Sequence, residues 1–198
     1  MSEILKVDKA HLEYVLEYSV RLILAGKVVA FPTDTFYALG ADPFNLAAVT
    51  EVFRIKGRSF DRPLPLLVAS LDQASDLTSD PPALFFKLAE KFWPGPLTLV
   101  VPASRQIPLK VTGNTGKVGL IEAAARPLTG TSANLAEHPA CQTADEVEKQ
   151  VGGRLPLILD AGAAHGGLAS TVVELVGERG RILRSGPVTE DQLKEFLA

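Results

Sequence analysis

From Lys9 to Ala25 the apolar residues Leu12, Val15, Leu16, Val20 and Ile23 recur three or four positions apart, which gathers them on one face of a helix, and Gly26 offers a left-handed stop. The rhythm then shortens. "VVAFPT" (28–33) and "YALGAD" (37–42) are brief apolar runs broken by Pro and Gly, as in strands or extended segments that line a site. Asn45 is placed to cap a second helix, "LAAVTEVFRIK", ending at Gly57. "PLPLLVA" (63–69) reads as a buried strand, "PALFFKLAEKFW" (82–93) as a helix stopped by Pro94-Gly95-Pro96, and "LTLVVPA" (97–103) as another strand. Thr143 followed by Glu146 resembles a capping box before "EVEKQVG". "LPLILDAG" and "STVVELV" are β-like, and Thr189 with Gln192 caps a last helix, "EDQLKEFLA". Strand and helix alternate without a linker. The pattern predicts an α/β fold: one domain over residues 1–198, a twisted mixed sheet flanked by helices.

Composition narrows the classes of function. The chain has 198 residues, 46% of them apolar, enough for one substantial core. A net charge of −3 argues against a protein that mainly coats nucleic acid, so a local basic cleft has to be argued from individual residues. The single cysteine, Cys141, excludes an internal disulfide, and no Cys or His pair has zinc-site spacing. A reducing, cytoplasmic location is expected. "MSEILKVDKAHLEYVLEYSV" is charged throughout, and no 18 uncharged apolar residues follow one another, so neither signal peptide nor membrane span is expected.

Four stretches could carry chemistry. Lys56-Gly57-Arg58 with Arg62 sets three cations where a helix gives way to irregular chain. Such a set suits a polyphosphate, Arg gripping oxygens in a fork and Lys adding a point charge; alternatively, Lys56 only complements the helix end and the arginines are solvated. "TGTSAN" (129–134) offers the hydroxyls of Thr129, Thr131 and Ser132 and the Asn134 amide, either as ligand contacts or as an ordinary turn. "FPTDTFYALGAD" (31–42) puts Thr33, Asp34, Thr35 and Tyr37 after an apolar strand, where α/β folds present ligand contacts. "VTGNTGKVG" is Gly-rich but no Walker A loop, because Val111 and Val118 stand where that motif needs Gly and Ser or Thr. His11, His138 and His165 are scattered, and no Ser-His-Asp or Cys-His set can be assembled, so covalent catalysis by the protein is not expected.

Taken in order, "FPTDTFYALGAD", "KGRSFDRPLPLLVA", "FWPGPLTLV", "TGTSAN", "STVVEL" and "ILRSG" resemble the YrdC family of threonylcarbamoyl-AMP synthases over nearly the whole chain. The family's KxR and SxN signature is present as Lys56, Arg58, Ser132 and Asn134, the residues the resemblance implies are catalytic. It implies a YrdC-like fold with a ligand cleft on a concave basic surface, in the short form without a C-terminal extension. The implied reaction converts L-threonine, bicarbonate or CO2, and ATP with Mg2+ into L-threonylcarbamoyladenylate and pyrophosphate. That product would pass to threonylcarbamoyl-transferase proteins that modify the adenosine beside the tRNA anticodon, so tRNA is an indirect partner. Carried over by position, Thr35, Ser132 and Ser170 would contact threonine or its carbamate. Lys56, Arg58, Arg62, Lys117, Asn134, Gln142 and Arg184 would line the ATP side; the metal's ligands stay open.

The chain departs from this pattern in places. Lys117 replaces a small hydroxyl residue and Leu67 a His found in some relatives; Ile121 stands where an Arg is expected to hold the threonine carboxylate. "KVGL" and "PLTGTS" read as strands, yet only "IEAAAR", an uncapped last turn or two of a helix, separates them. A parallel crossover takes about 12 residues or more. About a dozen residues are therefore expected to be missing between Leu120 and Ile121, with a genuine deletion as the alternative. Two other functions are weighed: an RNA-binding module of the same fold without adenylation activity, disfavoured by the acidic total, and a related carbamoyl-transfer domain, usually part of longer chains.

Overall fold

Two sheets, rather than the single sheet expected, carry the fold in the computed structural model, which describes residues 1–60, 62–104, 112–114 and 123–197. The first runs in the order β1 (Glu3–Lys6), β9 (Leu157–Asp160), β2 (Val29–Pro32), β3 (Tyr37–Gly40), β8 (Thr131–Ser132). The second runs β11 (Arg179–Arg184), β10 (Thr171–Val176), β5 (Leu97–Val100), β6 (Thr112–Asn114), β4 (Pro65–Leu67), β7 (Leu128–Thr129). Both are mixed: β2 is antiparallel to β3 and parallel to β9, and β10 is antiparallel to β11 and parallel to β5.

The stretch "LTGTS" explains the division. Leu128 and Thr129 pair with β4, Thr131 and Ser132 pair with β3, and Gly130 alone joins them. Thr129 stitches the two sheets. Its hydroxyl accepts from the Ala41 amide (3.0 Å) and donates to the Leu39 carbonyl (2.9 Å), while its own amide donates to the Ala41 carbonyl. A side chain at Gly130 would put its Cβ 2.4 Å from Leu67 Cγ, so only glycine fits the crossing.

Helices cover the outer faces because their apolar stripes meet the apolar sides of the strands. α2 (Leu46–Lys56) and α5 (Ala144–Val151) bury Val52, Phe53 and Val147 against Leu39 and Ile158. α1 (Leu12–Leu24) covers the opposite face with Val15 and Ile23 against Val29 and Phe31, and Leu67 and Leu128 of the second sheet join this cluster. The sheets therefore meet at one end of a shared core. α4 (Ala83–Phe92) and α6 (Glu190–Leu197) close the second sheet with Leu84, Phe85, Leu88 and Leu193.

The expected caps form. Asn45 Oδ1 accepts from the amides of Ala47 and Ala48, and Thr189 and Gln192 hold each other's amides through their side chains. Thr143 accepts from the Glu146 amide, but the Glu146 carboxylate reaches past the cap residue to the Gln142 amide. The first helix begins at Leu12 rather than Lys9, because the Asp8 carboxylate takes the amides of Ala10 and His11 and bends the chain into a turn there. β1 and the short α3 (Leu71–Asp76), capped by Ser70, add to the elements that the sequence pattern predicts.

Candidate active site

The last turn of α2 sends two neighbouring cations in different directions. Gly57 adopts left-handed backbone (φ 61°), its amide donates to Arg54, and the Arg58 amide donates to Phe53, a reversal that satisfies the helix's last carbonyls. Lys56, still helical, points into the protein and is 4% exposed. Arg58, past the reversal, lines a cleft of about 300 Å³ between the two sheets. The two do not face one anion together, as the sequence spacing suggested.

Lys56 spends all three ammonium protons on the "SAN" segment: the carbonyls of Ser132 and Asn134 (2.9 Å) and the Asn134 side-chain oxygen (3.0 Å). The Ser132 hydroxyl also donates to that oxygen. Asn134 Nδ2 donates in turn to the carbonyls of Leu135 and His138. The signature residues Lys56, Ser132 and Asn134 thus form one buried network, and of the three only Ser132 lines the cleft.

Burial, and after it the Arg58 cation, push the Lys56 amine down from 10.5 to about 8, while the Cys141 sulfur acts weakly the other way. The folded chain holds this proton less tightly than the unfolded chain does. Between about pH 8 and 10.5 the unfolded state therefore binds more protons, and the contribution of Lys56 to stability rises with pH. Urea unfolding of wild type and Lys56→Met at pH 7.5, 9 and 10 should show the difference between them shifting toward wild type as pH rises. A shift toward the variant would contradict this placement.

The rest of the cleft comes from three segments. Thr33, Asp34 and Thr35 follow β2; Thr98 and Val172 project from the second sheet; Ser170 and Arg184 close the far side. Arg184 donates through Nε (3.0 Å) and Nη2 (2.7 Å) to the Ser170 carbonyl, and burial lowers its pKa. The loop leading to Ser170 is pinned across the cleft: the Gly166 amide donates to the Thr35 carbonyl (2.7 Å), and the Tyr37 phenol to the Gly162 carbonyl (2.7 Å). Burial first, and then Asp160, raise the Tyr37 phenol to about 12, so it stays protonated near neutrality and acts as an anchor. Among the described lining residues two cations, Arg58 and Arg184, face one carboxylate, Asp34. This balance suits an anionic ligand.

Of the other candidates, Arg62 is exposed and outside the cleft lining. Gln142 lies against Gly166, where an added Cβ would meet it at 2.6 Å, and supports the loop rather than the cleft wall. Lys117, Ile121 and the junction after Leu120 lie outside the described residues. Thr98 and Leu67 also line the cleft, and their residue types alone do not mark them as ligand contacts. Thr98 left a signal, a hydroxyl within the apolar run "LTLVV".

The molecule is a two-sheet α/β protein whose cleft lies beside the Gly130 crossing between the sheets, with arginines and hydroxyls converging on it. The profile of the Sua5–YciO–YrdC family, described as "Telomere recombination", matches residues 21–186, and the chain belongs to this family. It is 34% identical over 208 aligned positions to a threonylcarbamoyl-AMP synthase of Pyrococcus abyssi, covering 100% of this chain and 61% of that protein. A putative threonylcarbamoyl-AMP synthase of Mycobacterium tuberculosis is 35% identical over 90% of this chain and 87% of its own length. The structure of P. abyssi Sua5 complexed with L-threonine superposes with a TM-score of 0.93 at 33% identity, over 100% of this chain and 61% of that one. The chain spans 61% and 54% of the synthases it matches in P. abyssi and Bacillus subtilis. Because 208 positions align to 198 residues, at least ten positions of the P. abyssi protein have no counterpart here.

Proposed function

We propose that this chain forms L-threonylcarbamoyladenylate and pyrophosphate from L-threonine, bicarbonate or CO2, and ATP, for the threonylcarbamoyl modification of tRNA. The observation that carries the reading is the convergence of Arg58, Ser132, Thr35, Ser170 and Arg184 on one cleft in a member of this family. The threonine nitrogen attacks CO2, giving a carbamate and releasing a proton. A carbamate oxygen then attacks the α-phosphorus of ATP, and the bond to the β-phosphate oxygen breaks as pyrophosphate leaves. This chemistry needs positioned reactants and cations for the leaving group, not a protein nucleophile. The cleft supplies both. Arg58 and Arg184 take the phosphate side, and the hydroxyls of Thr35, Ser132 and Ser170 take the amino acid.

Mg2+ would enter with the nucleotide: Asp34 is the carboxylate the described lining offers, which fits a metal carried mainly by phosphate oxygens and water. When bound it neutralises phosphate charge. The threonine carboxylate needs a partner that Ile121 cannot be, and the unmatched positions of the P. abyssi relative are consistent with residues missing from this sequence after Leu120. Pyrophosphate release from ATP should require threonine and bicarbonate together. Release that ignores either substrate would overturn the reading.

A further inference from the structure

The hydrogen-bond directions around Ser132 are fixed by its surroundings. Lys56 brings an ammonium, which can only donate, to Asn134 Oδ1, and this excludes the flipped amide. The carbonyls of Leu135 and His138, which can only accept, face Nδ2 and exclude it a second time. With Oδ1 in that place, the contact between Ser132 and Asn134 has one possible polarity: the serine proton goes to Asn134. The segment has little freedom to change this, because the Ala136 amide donates to the Lys56 carbonyl (2.8 Å) and clamps it to the end of α2. Asn134 is 6% exposed, so water does not compete at its amide.

We propose that Lys56 is a positioning residue that acts through Asn134 to point the Ser132 proton away from the cleft. Ser132 then offers the cleft only lone pairs, and the group it selects is an N–H donor: the nitrogen of the amino-acid substrate. This rests on the amino-acid reading of the cleft given above. It assigns the buried lysine a task other than phosphate contact and makes Ser132 the residue that distinguishes an amino acid from its nitrogen-free analogue. Loss of the Lys56 proton leaves an amine with two donors against three acceptors, so one contact of the network must break. The charged and titratable groups around that amine are Arg58, which favours proton loss, and Cys141, which opposes it. Burial, and after it Glu146, keep the Cys141 thiol high, at about 11.

The test is calorimetric binding of L-threonine and of its deamino analogue, (R)-3-hydroxybutanoate, to the full chain, in wild type, Ser132→Ala and Lys56→Met. Wild type should prefer threonine. In Ser132→Ala that preference should fall by about tenfold or more, the usual worth of a hydrogen bond to a charged group, while affinity for the analogue changes little. Lys56→Met should reduce the same preference with Ser132 still in place. The wild-type preference should also decline from pH 7.5 to 9 more steeply than the variant's. A preference unchanged in Ser132→Ala overturns the proposal, whether or not Lys56→Met folds. A wild-type chain that binds neither compound overturns the amino-acid reading itself.

Discussion

Arg58→Ala should lower the rate of pyrophosphate release by about a hundredfold or more, the usual cost of removing a group that stabilises charge in the transition state. Arg58 is the cation that the left-handed turn at Gly57 delivers into the cleft, and its guanidinium can hold phosphate oxygens as a fork. The fold should survive. The side chain is half-buried, and one of its contacts, the charged hydrogen bond to the Pro63 carbonyl (3.1 Å), is worth about 1.5–3 kcal/mol, less than the stability of a typical domain. Arg58→Lys keeps the charge without the fork and should fall between wild type and alanine. Steady-state kinetics alongside urea unfolding checks this. Near-normal turnover in a folded Arg58→Ala protein would remove Arg58 from the mechanism.

Gly130→Ala should destabilise the chain by roughly 1–3 kcal/mol, the range for overfilling a packed core. The new Cβ would fall 2.4 Å from Leu67 Cγ and 3.0 Å from both Leu67 methyls, at the point where the chain changes sheets. Leu67 is 6% exposed and packed among Phe31, Leu128 and α1, so it has little room to move. Leu67→Ala alone should cost about 2–5 kcal/mol through the cavity it leaves. The double variant should cost at least about 1 kcal/mol less than the two costs added, because the smaller residue at 67 admits the larger one at 130. Strict additivity in urea unfolding would show that the contact does not limit the crossing. Ser132 lies two residues past Gly130, so Gly130→Ala should also weaken threonine binding, and Leu67→Ala should restore part of it.

What the sequence disclosed, and what it concealed, follows from the range of each interaction. α2, with its Asn45 cap and Gly57 stop, was legible because every determinant lies within its own turns. β1 was not: its partner β9 lies about 150 residues away, and as an exposed edge strand it lacks an apolar run. The division into two sheets was hidden for a similar reason, since "LTGTS" looks like one segment until Leu66 and Ala38 pair with its two halves. At the site, the residue types were visible and their directions were not. Lys56 and Arg58 flank one glycine and look equivalent, yet one belongs to the helix and the other follows its reversal. The resemblance to the YrdC family brought Ser132 and Asn134 together with them. Their hydrogen bonds then separate the residue at the cleft from the two behind it.

The proposed chemistry makes one product that unites three substrates, so the most direct measurement follows the carbon of bicarbonate. With labelled bicarbonate, L-threonine, ATP and Mg2+, the label should appear in a single compound with the mass of threonine, carbon dioxide and AMP less one water. It should form in step with pyrophosphate and be absent when any one substrate is withheld. ATP consumption with no label in an adenylate, or an adenylate formed without bicarbonate, would contradict the assignment.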